Sequence, residues 1–165
     1  MQSGATMDIL TIAINMEDEG AKFYRSLAEK TESRPFKAVL NMMAEDEDKH
    51  KKVFEAWQKK DPIPMDDSQV VFEANSIFKE AQKSDFIDAN SQLDLYLKAR
   101  DREQEAVKYY TDLKNRPENT SNAGLIDKII REENKHLALL TDLIEFISQP
   151  EQWVESAEFG IRAHY

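Results

Sequence analysis

The 165 residues fit one domain, a size at which roughly 70% of the unfolded surface is buried. Hydrophobic residues make up 41% and charged residues 33%, mean hydropathy is −0.67, and the apolar runs are too short to span a bilayer. Acidic side chains outnumber basic ones 32 to 22, and the net charge of −10 disfavours nucleic acid and anionic membrane as partners, because phosphates are repelled. The absence of cysteine excludes disulfides, thiolate zinc sites, iron–sulfur clusters and cysteine nucleophiles together. Residues 1–6 lack a basic region, and Asp8, Glu17 and Asp18 follow soon after, so no secretory leader is expected and a cytoplasmic location is the default.

Five prolines divide the chain into blocks, since proline is poorly tolerated inside helices. The first block, about Met7–Thr31, carries Ala13, Glu17, Gly20, Tyr24 and Leu27 at alternating spacings of three and four. The second, about Pro35–Lys60, continues that spacing through Phe36, Leu40, Met43, Glu47, His50, Phe54 and Trp57. Asp61–Ser68 reads as a loop ending in helix-capping residues, and Val70–Lys83 as a short helix with Val71, Ala74, Ile77 and Ala81 in register. The next block, about Asp88–Asn115, gives Tyr96, Ala99, Glu103, Ala106, Tyr110 and Leu113. The last, about Ser121–Ser148, gives Ile126, Ile129, Glu133, His136, Leu140, Leu143 and Ile147. These four long amphipathic helices predict an all-α four-helix bundle over about 7–148. Residues 149–165 are read as a tail or short C-terminal helix with Trp153, Ala157 and Ile161 available to dock, within a single domain spanning 1–165.

Charged side chains interrupt the apolar stripes at Glu17, Glu47, His50, Glu103, Glu133 and His136. An unpaired carboxylate in a core costs several kcal/mol or takes up a proton, so four together call for compensation, which metal cations supply. Glu17 precedes Glu47 by 30 residues, as Glu103 precedes Glu133, and each Glu-x-x-His sets a carboxylate and an imidazole one turn apart on one face. Tyr24 and Tyr110 each lie seven residues after the first Glu of their half. The two halves repeat at an offset of 86 residues. This is the bundle-core pattern for two metal ions, one Glu from each of two helices and Glu-x-x-His from each of the other two.

The run Ala13-Ile-Asn-Met-Glu17-Asp-Glu-Gly-Ala-Lys-Phe23-Tyr24, with Glu47-Asp-Lys-His50, resembles the di-iron domain of rubrerythrins. The second half repeats it with Glu103, Tyr109-Tyr110 and Glu133-Asn-Lys-His136, so the resemblance covers about Met7–Ser148. It implies a ferritin-like four-helix bundle with a long crossover between the second and third long helices. It also implies two iron ions that react with hydrogen peroxide or dioxygen, Glu47 and Glu133 bridging, Glu17 and Glu103 terminal, and His50 and His136 each on one metal. Manganese or a mixed iron–manganese pair suits the same ligand types. The chain departs from the resemblance twice. Rubrerythrins carry a rubredoxin-like module with four cysteines, absent here, so an external donor, such as a separate rubredoxin-like protein, is expected to supply electrons. Many also carry a further Glu one turn after the third-helix ligand, where this chain has Ala106.

The expected activity is reduction of peroxide to water. The alternatives are a ferritin-like protein that oxidises or stores iron, and a non-catalytic metal-binding bundle. A homodimer is expected from the behaviour of related bundles. Tyr24 and Tyr110 read either as hydrogen-bond donors to the ligand carboxylates or as core aromatics. Gly20 and Ala106 either leave space beside the metals or let helices pack closely, with packing favoured. Asp46 and Glu132 fall off the stripes and are expected at the surface, as are Glu19, Glu45 and Glu105. Met16, Met42 and Met43 read as core filler, and His164 as a tail residue.

Overall fold

A computed structural model describes residues 2–81 and 92–148, the side chains of residues 2–8 excepted. The helices are α1 (Gln2–Lys30), α2 (Arg34–Gln58), α3 (Val70–Glu80), α4 (Leu93–Lys114) and α5 (Ala123–Ser148), with a 3-10 turn at Pro117–Asn122 before α5. No strand occurs among the described residues. The expected helix of the 149–165 tail, His164 and residues 82–91 of the crossover lie outside the described residues.

Local chemistry sets the boundaries. Ser33 accepts the Phe36 N–H at the start of α2, and Pro35 occupies its first turn, where no amide donor is needed. At the other end, Lys60 adopts φ 61°, and the amides of Lys60 and Asp61 reach back to the carbonyls of Trp57 and Ala56 in a Schellman closure. Asn119 Nδ2 donates to the Leu113 carbonyl, which lies near the end of α4, and so ties the 3-10 turn to that helix.

The contacts between helices fix the topology. Gln58 meets Thr11, Lys51 meets Asp18 and Arg25 meets Asp48, so α2 runs antiparallel to α1. Lys114 meets Asp127 while Glu103 meets His136, so α5 runs antiparallel to α4. Tyr24 meets Glu103 and Tyr110 meets Glu17, so α4 also runs antiparallel to α1. Helices α2 and α4 therefore point the same way. The chain between them must return along the whole bundle, about 37 Å for a helix of 25 residues. The segment containing α3 makes that return. This is the ferritin-like up-down-down-up bundle expected from the sequence.

The stripes pack inward as their spacing requires. One apolar layer, containing Leu27, Phe36, Leu40, Tyr96, Leu143 and Phe146, fills one end of the bundle. A second, containing Leu10, Phe54, Tyr110, Leu113, Ile126 and Ile129, fills the other. Phe36 makes edge contacts with Phe78, Tyr96 and Phe146, joining α2 to α3, α4 and α5. Helix α3 is rotated from its expected register: Val70, Ala74 and Phe78 are buried, whereas Val71, Ile77 and Ala81 are only partly so. Phe78 is the larger apolar group, and turning it toward Phe36 buries more surface than the expected face. Between the two apolar layers lies a polar one.

Candidate metal centre

All six interrupting residues lie in that polar layer, each at most 3% exposed. They form two overlapping groups that could hold a metal ion: Glu17, Glu47, His50 and Glu133, and Glu47, Glu103, Glu133 and His136. In each group one ligand atom per residue lies within 4.8 Å of the others. Glu47 and Glu133 belong to both groups. The His50 and His136 rings lie 6.3 Å apart, near-parallel at 25°.

The nitrogens of each histidine face different ways. His50 Nδ1 lies 2.8 Å from Glu133 Oε1 and 3.4 Å from Glu17 Oε2. His136 Nδ1 lies 2.9 Å from Glu47 Oε1 and 3.2 Å from Glu103 Oε1. The Nδ1 atoms thus face the central carboxylates. Each Nε2 faces away: His50 Nε2 lies 2.8 Å from Glu132 Oε1, and His136 Nε2 lies 2.9 Å from Asp46 Oδ2. A carboxylate on Nε2 would hold a proton there once Nδ1 gave up its own, leaving an Nδ1 lone pair directed inward, the form in which imidazole binds metal.

Asp46 and Glu132 therefore do not sit at the surface as expected. Both are buried, each holding the histidine of the opposite helix. Stripe spacing missed them because the partner ring crosses between α2 and α5. The sequence did hold a signal, since Asp46 and Glu132 are related by the same 86-residue offset as the six.

Both tyrosines take the hydrogen-bonding role, and both are buried. Tyr110 Oη donates to Glu17 Oε1 at 2.7 Å, and Tyr24 Oη donates to Glu103 Oε1. A Cβ at Gly20 would stand 3.0 Å from Glu47 Oε2, so the missing side chain makes room for that carboxylate where α1 faces α2. Glu19, Glu45 and Glu105 are exposed as expected. Met43 is fully buried core, Met42 packs against the core, and Met16 lines a cavity.

Burial and crowding shape the proton inventory. Burial and the charge of Glu133 push Glu47 well above the ordinary carboxylate range, and burial with Glu103 and Glu17 does the same to Glu133. Burial pushes Glu103 upward too, but hydrogen bonding with Glu133 and His136 outweighs it and holds Glu103 down to about 2. Burial works against charge on His50, yet Glu17, Glu132 and Glu133 raise it well above its usual value. His136 is raised likewise, against burial, by Asp46 and Glu103. The crowded anions are thus compensated by protons that a cation would displace.

Glu17 Oε2 and Glu103 Oε2 are buried with no hydrogen-bond partner, and His50 Nδ1 and Glu133 Oε1, though 2.8 Å apart, do not meet in hydrogen-bonding geometry. Buried polar atoms of this kind cost free energy unless something else satisfies them. All four belong to the two overlapping groups, and their oxygen and imidazole chemistry suits iron or manganese. The residues fit a pair of divalent ions.

The layer has one closed and one open side. Toward α2 and α5 the buried Asp46 and Glu132 are backed by the buried Ser68 of the crossover. Between α1 and α4 lies a cavity of about 90 Å³, reached past Phe23 and Arg102 and bounded inside by Gly20, Ala106 and the ligand carboxylates. Arg102 lies 5.4 Å over the Phe23 ring and 3.7 Å from Glu19 at this mouth.

The family model described as Rubrerythrin matches residues 8–144. Neither a curated protein nor a solved structure matches the chain. No helix among the described residues is long and apolar enough to cross a membrane.

Proposed function

The chain belongs to the rubrerythrin family, and from that premise we propose that it is a di-iron oxidoreductase that reduces hydrogen peroxide to water. The observation that carries this reading is the pair of overlapping ligand groups sharing Glu47 and Glu133, with Glu17 Oε2 and Glu103 Oε2 buried and without a hydrogen-bond partner. Glu17, His50 and the shared carboxylates would hold one ion, and Glu103, His136 and the same carboxylates the other. Two ferrous ions bound there would give one electron each, so that one peroxide and two protons become two waters.

The protein's own contribution is orientation, selection and charge. Four glutamates would balance the four positive charges of two divalent ions in a layer that lies between two apolar ones. Asp46 and Glu132 keep the histidine protons on Nε2. Tyr24 and Tyr110 hold the outer glutamates in place and keep their phenol protons, because burial and the neighbouring Glu103 and Glu17 push both phenols well above their ordinary range. The cavity beside Gly20 and Ala106 has room for a small molecule such as peroxide or dioxygen and excludes bulky substrates. These 165 residues contain no cysteine, so electrons would enter from a donor outside them.

The test is stopped-flow oxidation of ferrous-loaded protein by peroxide and, separately, by dioxygen. Much faster oxidation by peroxide, with two irons oxidised per peroxide consumed, is expected. Faster oxidation by dioxygen with growth of a ferric mineral would replace this reading with iron storage. If Glu47→Ala combined with Glu133→Ala still bound two irons per chain, the ligand assignment would be wrong.

A further inference from the structure

On the closed side of the polar layer, one residue of the crossover touches both carboxylates that hold the histidines. The Ser68 peptide N–H donates to Glu132 Oε2 at 2.6 Å, and its hydroxyl donates to Asp46 Oδ2. The hydroxyl oxygen also accepts the Val70 N–H at 3.1 Å, in the first turn of α3, which leaves its own proton for Asp46. Lys135 Nζ reaches the Ser68 carbonyl at 3.4 Å, and Met65 is buried nearby in sequence, so the loop is fastened at several points. Ser68 is itself 6% exposed.

We propose that Ser68 is a positioning residue for both metal-facing histidines, acting through Asp46 on His136 and through Glu132 on His50. The proposal rests on the metal reading above and deepens it. The two halves of the site are otherwise related by the internal repeat, but the position 86 residues after Ser68 is a valine, which has no hydroxyl. One loop residue thus serves both halves with two different groups. The side chain serves Asp46, and the backbone serves Glu132.

That division makes an asymmetric prediction. In Ser68→Ala the backbone link to Glu132 persists, while the hydroxyl's links to Asp46 and to the Val70 N–H are lost; of the two histidines only His136 loses support, so the His136 half alone should weaken. Loss of a partner that orients a ligand typically costs ten- to a hundredfold in metal affinity. Because Ser68 acts through Asp46, Ser68→Ala should have no further effect once Asp46→Ala has been made.

The experiment adds cobalt(II) stepwise to metal-free protein and follows its visible absorption, with calorimetry for affinities. The wild type is expected to bind two ions, Ser68→Ala to bind one as the wild type does and the other about tenfold more weakly, and Ser68→Thr to restore the wild-type curve. Unchanged binding in Ser68→Ala overturns the proposal. So does equal weakening of both ions, or an undiminished effect in the Asp46→Ala background, since either marks a general loosening of the loop. A wild type that binds no cobalt overturns the metal reading itself, a result distinct from the others.

Discussion

Tyr110, on α4, donates its phenolic hydrogen to Glu17 on α1 across 2.7 Å of buried space. Its counterpart Tyr24, on α1, donates to Glu103 on α4. Each tyrosine follows the glutamate of its own helix by seven residues but serves that of the other. The bonds tie together the two helices that border the cavity. Tyr110→Phe should leave Glu17 free to swing and lower the affinity of the His50 half by about tenfold, with Tyr24→Phe doing the same to the His136 half. Cobalt binding by each variant, compared with wild type, checks both; equal loss at both halves in either variant would count against the cross-helix assignment.

The proton inventory makes the metal-free protein sensitive to alkali. Glu47 and Glu133 keep protons in the folded state at pH values where the unfolded chain, with glutamates near about 4.3, has lost them. His50 and His136 likewise stay protonated above the unfolded value of about 6.5. The folded state then binds more protons than the unfolded one, so stability falls as pH rises. The Tm of metal-free protein should therefore drop between about pH 5 and 8, and loading with metal should release protons and bind more tightly at higher pH. Thermal unfolding with and without chelator, and proton release in weak buffer, measure both.

Gly20 separates helix stability from site geometry. Glycine inside a helix costs about 0.5–1 kcal/mol relative to alanine, so Gly20→Ala should leave the metal-free fold as stable or slightly more so. The new Cβ would stand 3.0 Å from Glu47 Oε2, and the shared carboxylate must shift. Metal affinity should fall about tenfold while Tm without metal holds or rises. A lower Tm together with unchanged affinity would contradict this placement.

Phe36 is fully buried where α2, α3, α4 and α5 converge, away from the polar layer. Phe36→Ala should cost about 3–5 kcal/mol in unfolding free energy through lost burial and an unfilled cavity. Metal stoichiometry at low temperature should stay at the wild-type value. Denaturant unfolding and metal analysis of the same sample test the two statements.

Much of this protein was legible before any coordinates, because helical periodicity is local and repeats itself. The three-and-four spacing placed Glu17, Glu47, His50, Glu103, Glu133 and His136 on buried faces, and the 86-residue offset marked them as two matching halves. The length of the stretch between α2 and α4 announced a crossover. The sequence alone thus determined the four long helices, their inward faces and the chemistry those faces present. The tertiary structure decided which groups meet across helices: Asp46 with His136, Glu132 with His50, each tyrosine with the opposite glutamate, and Ser68 with both Asp46 and Glu132. It also rotated α3 so that Phe78 is buried in the core and Ile77 packs only at its margin. Spacing along one helix sets which way a side chain points. What it meets depends on how neighbouring helices are aligned along their axes, and packing of the whole bundle fixes that alignment.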